Sequence, residues 1–525
     1  MNINQAKDYI KNSIQLYLKK DEFGDYRIPV VRQRPIFLLG APGIGKTAIM
    51  EQIAQELGIA LVSYSMTHHT RQSALGLPFI KQKKYGGREY DVSEYTMSEI
   101  IATIYETMES SGVQEGILFL DEINCVSETL APSMLQFLQY KVFGKHKVPE
   151  GWVIVTAGNP PEYNKSVREF DVVTMDRLKV LQVEADYPTW KLYAGERGVH
   201  SAILNFLELK KDYFYHMETS ANGRSYVTAR GWEDLSQIIS LYEEDGLKVD
   251  ETLISQYLQN EQIVKEFSAY YDLYNKYKQD YRVEALLSGD ISKEAIEKAR
   301  KASFDERLSL LGLLMDQMQS EMRNVVEMSN YLQELKHPLQ AIKNAKNAKE
   351  MVEIQLDARQ KRMQNLEKAN AMSMEERYKN KRICRFLTDL LVKTSDVTLV
   401  ESDLMEAANI QLASDSEIMQ RNSEEDIFQY GKEKYEKQVE ELKNLVAATA
   451  NRLHWLFEFA AKAFSEDESG NSSEMLVLVT EFTVNKFSSA YISMFGCEDY
   501  QKYNRLLMVT ERQENLKADI AKLML

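Results

Sequence analysis

Ile36-Phe37-Leu38-Leu39 runs directly into Gly40-Ala41-Pro42-Gly43-Ile44-Gly45-Lys46-Thr47, and this stretch decides how the residues around it are read. Four apolar residues without alternation suit a strand buried on both faces, as in a parallel sheet. The eight that follow match G-x-x-x-x-G-K-[ST] in full. Ile49, Ile53 and Leu57 then recur every four residues, and Gly58 supplies a helix stop. Ile59-Ala60-Leu61-Val62 reads as the next strand. In such a strand–loop–helix context, the glycines let successive backbone N–H groups converge on phosphate oxygens, and the helix N-terminus adds a favourable dipole. Lys46 would reach the outer phosphates, and the Thr47 hydroxyl would be offered to Mg²⁺.

A second apolar run, Ile117-Leu118-Phe119-Leu120, ends in Asp121-Glu122. Carboxylates at the exit of a buried strand lie near the ligand crevice of an open α/β sheet. Asp121 would hold Mg²⁺, directly or through water, or else cap the next helix. Glu122 would orient or deprotonate an attacking water. A third run, Trp152-Val153-Ile154-Val155-Thr156, leads to Asn159-Pro160. Asn159 would position water or the terminal phosphate; before a proline it is equally a common turn former.

Together these stretches resemble an AAA+ ATPase, and within that class the MoxR and dynein-related, helix-2-insert group. The resemblance rests on GAPGIGKT (40–47), ILFLDEIN (117–124), VIVTAGNPPE (153–162), MDRL (175–178) and TARGW (228–232), and spans about residues 30–245. It implies that Asn159 is the sensor-1 residue and Arg177 an arginine finger acting on a neighbouring subunit's nucleotide, with Arg168 the alternative finger. Arg230 would be the sensor-2 arginine of a helical lid. The structural alternatives are an ion pair of Arg177 with Asp176 or Glu184, and a solvated Arg230 near a helix start. A guanidinium supplied in trans would stabilise phosphoryl charge and couple hydrolysis to oligomer contacts. Residues 75–80 and the Gly86-Gly87 turn resemble the clade's inserted hairpin, with Lys81, Lys83, Lys84 and Arg88 at its tip; such a tip either faces substrate or is a solvated turn. Pro188 would open the lid, and residues 214–224 read as a loop leading to Arg230.

The expected architecture is an α/β phosphate-loop NTPase core over 1–185, a parallel sheet flanked by helices. A helical lid would follow over 186–245 and an all-helical extension over 246–525, with a coiled-coil-like arm around 338–372. The boundary is visible in composition. Nine of ten prolines lie at or before Pro188, and eighteen of 23 glycines at or before Gly246. In the later region Phe267, Tyr270, Tyr271, Tyr274, Tyr277 and Tyr281 keep helical spacing, which reads as packing rather than base stacking. Pro338 suits a helix start, and Ile342, Ala345, Val352, Leu356, Met363 and Leu366 follow with Lys349, Arg359 and Asn370 interrupting the seam. Glu466-Asp467-Glu468 and the residues after it read as an exposed loop.

Charge and cysteines exclude other classes. The chain carries 64 basic and 79 acidic residues, a net charge of −15, with 27 against 33 in 1–250 and 37 against 46 in 251–525. Neither part supplies the basic field of a nucleic-acid-binding domain, so a nucleic-acid partner is not expected. Cys125, Cys384 and Cys497 are scattered, which suggests neither a disulfide framework nor a zinc site. His68-His69 has no ligand partner at metal-binding spacing. Residues 1–20 lack the apolar core of a signal peptide, and no run is long enough to cross a bilayer, so a cytoplasmic protein without a membrane is expected. The resemblance implies ATP and Mg²⁺ as cofactors, a homo-oligomeric, hexameric ring, and a von Willebrand factor A domain protein as partner. Two other readings stay open: a nucleotide-gated scaffold with little hydrolysis, and a GTP-using restriction-type motor.

Overall fold

The computed structural model describes residues 1–163, 167–220, 223–391, 424–464 and 472–507. The chain divides into two compact units. The first comprises Met1–Trp190, Thr228–Gly231 and Arg359–Tyr378; the second comprises Lys191–Val227, Trp232–Ala358 and the described residues from Lys379 onward.

The first unit is built on a five-stranded sheet: β1 (Ile36–Gly40), β2 (Ala60–Ser65), β3 (Gly116–Asp121), β4 (Trp152–Gly158) and β5 (Lys179–Val183). All neighbours pair parallel, in the order β2-β3-β4-β1-β5. The three apolar runs of the sequence are β1, β3 and β4, the inner strands, which is why they lack polar alternation. Ile117 to Leu120 and Trp152 to Ala157 are buried throughout. The first register pair of β3 and β4 joins Gly116 to Trp152. A Cβ at Gly116 would lie 2.7 Å from the Trp152 ring, so only glycine lets the indole close the bottom of the sheet.

A parallel sheet needs crossovers, and helices Lys46–Leu57, Glu99–Ser111 and Ala131–Tyr140 supply them. Between β2 and the helix Glu99–Ser111 stands an antiparallel hairpin, Pro78–Tyr85 with Arg88–Tyr95, turning at Gly86-Gly87, both of which have positive φ. Lys81, Lys84 and Arg88 are exposed along it. Lys83 does not crown the tip as expected: it and Lys145 both pair with Glu94 on the opposite strand, and the two ammonium groups pull the Glu94 carboxyl down to about 2.

The second unit is helical with one exception. Residues 214–224, expected as a loop, include an antiparallel hairpin of His216–Ser220 and Gly223–Val227. Cross-strand pairing fixes a short polar segment that has no apolar alternation to announce it. The aromatic stripe packs inward. Phe267, Tyr271, Tyr274 and Tyr281 are buried, and Phe267 meets Phe206 and Trp232 edge-on. Pro338 does not open a helix but lies inside the 41-residue helix Phe304–Asn344. A proline there removes one N–H and crowds the preceding turn, but burial of Leu335, Pro338, Leu339 and Ile342 against Val352, Phe386 and Leu390 holds the helix through it. The acidic loop expected at 466–471 lies outside the described residues.

Candidate active site

Three strand ends converge because the sheet order puts β1 beside β4 and β4 beside β3. Leu39 is level with Gly158 and Ser65 with Asp121, so Gly40, Asn159 and Asp121 all emerge along one edge.

The loop 40–45 leaves β1 as a tight curl. Gly43 and Gly45 have φ of +74° and +93°, which side-chain-bearing residues rarely adopt. Gly40 is held for a different reason: a Cβ there would come within 2.6 Å of the Val183 carbonyl oxygen on β5. At Gly43 a Cβ would lie 2.9 Å from the side chain of Thr228, two residues before Arg230. Ala41 and Ile44 are buried and pin the loop's apolar side, and Pro42 stands between them. The helix Lys46–Leu57 starts at once, with its first N–H groups facing the curl.

Lys46 is only 8% exposed. Its ammonium donates to the Gly40 and Ala41 carbonyls, each at 2.8 Å, and to Asn159 Oδ1 at 2.9 Å. Burial pulls its pKa down to about 8, the positive Arg230 adding to that effect while Asp121 and Glu122 oppose it. A phosphate placed on the loop would supply the anionic partner this buried ammonium lacks. The Thr47 hydroxyl donates to Asp121 Oδ2 at 3.0 Å. A hydroxyl and a carboxylate at this separation are hard oxygen ligands of the kind Mg²⁺ takes alongside waters and substrate phosphates, so the donor set fits that ion. Among the described residues no group of three or more His, Cys, Asp or Glu side chains could hold a metal on its own.

Among the described residues Glu122 is one of four non-glycine residues with positive φ, at +55°. This strained turn follows β3 immediately and separates its side chain from that of Asp121. The Glu122 N–H donates to Asp121 Oδ1 at 2.9 Å. Its Oε2 accepts from Ser65 Oγ and from Thr67 Oγ1, both at 3.0 Å. Asn124, 4% exposed, donates from Nδ2 to the Asn159 carbonyl at 2.8 Å, which ties the β3 turn to the residue that meets Lys46. Ser65, Thr67 and Asn124 were not singled out in the sequence. Ser65 ends the strand that begins at Ala60 and Thr67 lies in the turn after it, positions with no distinguishing spacing, whereas Asn124 completes DEIN.

The expected residues therefore fall into two sets. Residues 40–47, Asp121, Glu122 and Asn159 come together, and the exposed Arg230 lies within electrostatic reach of Lys46. The side chains of Arg177 and Arg168 have other partners, although the Arg168 backbone N–H donates to the Asn124 carbonyl at 2.9 Å. Arg177 ends the helix Val172–Arg177, is exposed, and donates to Gln139 Oε1 at 2.7 Å; among the described residues it makes no ion pair with Asp176 or Glu184. Arg168 pairs with Glu128.

A parallel sheet in this order, with lysine, threonine, two carboxylates and asparagine at its carboxyl edge, defines a phosphate-loop nucleotide-binding domain. Residues 36–175 match the model of the AAA family, the ATPase family associated with various cellular activities. No curated protein matches the chain. Among the described residues no helix is long and apolar enough to cross a membrane.

Proposed function

We propose that this protein binds and hydrolyses ATP, and uses the cycle to remodel a protein partner as a ring of the MoxR and dynein-related type. The observation that carries the reading is the convergence of Lys46, Thr47, Asp121, Glu122 and Asn159 from three different strand ends onto one crevice. Backbone N–H groups of residues 43–47 and the Lys46 ammonium would hold the phosphates, with Arg230 contributing from the helix Ala229–Glu244. Thr47 and Asp121 would hold Mg²⁺, which when bound neutralises charge between the outer phosphates. Glu122 would take or orient a proton of the attacking water, and Asn159 would fix that water or the terminal phosphate.

Arg177 supports the ring. It lies away from its own Lys46, on a helix whose Val172 and Val173 are 84% and 60% exposed. A cation flanked by exposed apolar residues suits a junction between copies, where it would reach a neighbour's nucleotide. The partner would be a protein, and a von Willebrand factor A domain is the one the resemblance implies. The central test is Glu122→Gln. Binding of ATP should persist while phosphate release falls to background, whereas unchanged turnover would remove Glu122 from the mechanism.

A further inference from the structure

β2 is an edge strand of the sheet, and an edge strand leaves a row of backbone donors and acceptors unpaired unless something covers it. Here the cover comes from 309 positions away. The Leu61 N–H donates to the Ala369 carbonyl at 2.9 Å, and Asn370 Nδ2 donates to the Leu61 carbonyl at 3.4 Å. Gln55, on the helix leading into β2, donates to the Met372 carbonyl at 3.4 Å. Ala369 and Ala371, 0% and 3% exposed, are part of the same apolar core as Val62, Leu118 and Leu120, with Leu366 packed beside them. Asn370 itself has φ +50°, a left-handed turn that lets the Ala369 carbonyl and the Asn370 side chain meet the two edge groups of Leu61 together. This turn joins the helices Ala348–Lys368 and Met374–Leu391.

Four residues beyond Leu61, the same strand ends at Ser65, whose hydroxyl donates to Glu122. Thr67 follows with a second donor to the same oxygen. A carboxylate oxygen that accepts two hydroxyl hydrogens is held in place by them and must leave them to turn toward a water it would activate. β2 is paired on one side with β3 and held on the other, at Leu61, by residues 369–370.

We propose that residues 369–372 act as a clamp on β2 which positions the Ser65–Thr67 seat and thereby restrains Glu122, so that release of the clamp speeds hydrolysis. Asn370 and Ala371 are positioning residues, acting on Glu122 through β2. The clamp is covalently continuous with helices that pack elsewhere through Ala348, Val352, Ile383, Phe386 and Leu390. Force or binding along those helices therefore reaches the active site through the peptide chain. The inference rests on the hydrolytic reading of Glu122.

The test compares Ala371→Glu, which places a carboxylate in the apolar core, with Asn370→Gly. Glycine keeps the left-handed turn and removes only one hydrogen bond, so the second variant remains informative if the first does not fold. In both, hydrogen exchange measured by mass spectrometry on the β2 peptide should quicken. The kcat for ATP should rise, by about fivefold for Ala371→Glu and less for Asn370→Gly, with KM unchanged. In a Ser65→Ala/Thr67→Ala background the same substitutions should add nothing further. Faster exchange of β2 with kcat unchanged or lowered, or an equal rise in the Ser65/Thr67 background, would overturn the clamp alone. Wild-type turnover no greater than that of Glu122→Gln would overturn the hydrolytic reading and the clamp with it.

Discussion

The ammonium of Lys46 and the carboxamide oxygen of Asn159 meet at 2.9 Å, across 113 residues of chain and between the ends of two adjacent strands. This contact links the phosphate loop to the turn after β4. Through Asn124 it also reaches the β3 turn that carries Asp121 and Glu122. The site is thus a closed chain of hydrogen bonds in which each group is held by another strand.

Lys46→Ala should weaken ATP binding at least tenfold, as read by titration with a fluorescent nucleotide. The nucleotide-free variant should melt no lower than the wild type. It loses a buried charge that among the described residues has carbonyl and amide partners but no ion pair, and that charge is costly to keep desolvated.

The lowered pKa of Lys46 makes nucleotide affinity depend on pH. Bound phosphate favours the ammonium, so the bound lysine titrates above the free value of about 8. Below pH 8 the lysine is charged in both states and its contribution to affinity is constant. Above it, binding must take up a proton, and affinity should fall by up to about tenfold per pH unit until the bound lysine itself titrates. Calorimetry at pH 8.5 in two buffers of different ionisation enthalpy should show net proton uptake; equal heats would contradict the assignment.

Glu122 pays for its left-handed backbone in stability. Glu122→Gly should be about 1 kcal/mol more stable to urea than Glu122→Ala, because both remove the carboxylate but only glycine accepts φ +55° without strain. Both should be inactive.

Asn124→Ala removes the donor to the Asn159 carbonyl at a buried position. Stability should fall by about 1–3 kcal/mol. Once ATP is saturating, kcat should remain below wild type, since the sensor turn loses its tie to β3. A variant with lowered stability and full kcat would make Asn124 purely structural.

Arg177→Ala should lower turnover by about 10³-fold or more while ATP affinity is retained, and Arg168→Ala should act weakly. Mixing Arg177→Ala with Glu122→Gln subunits should restore part of the activity, because some junctions then pair an intact arginine with an intact glutamate. No recovery at any ratio would place Arg177 outside a shared site.

Residues 40–47, Asp121, Glu122 and Asn159 could be read directly because each follows an unbroken apolar run. The carboxyl ends of the inner strands of an open parallel sheet share one edge, and the polar residues just beyond them are brought together there. The aromatic stripe was legible as packing for a similar reason, since helical spacing states which face is buried. Ser65 and Thr67 were less visible, because hydroxyls after a strand have no spacing that distinguishes a ligand to Glu122 from an ordinary turn. Lys83 looked like a hairpin tip cation because its partner, Glu94, lies on the other strand.

Local chemistry alone specified the phosphate loop, the inner strands and the helical character of the later region, since glycine freedom, strand burial and helical periodicity act over a few residues. The order of the strands, the meeting of Lys46 with Asn159 and the docking of residues 369–372 on β2 depended on the folded chain. Those contacts join residues 113 and 309 positions apart, and which distant donor finds which unpaired acceptor is set by packing that no short stretch encodes.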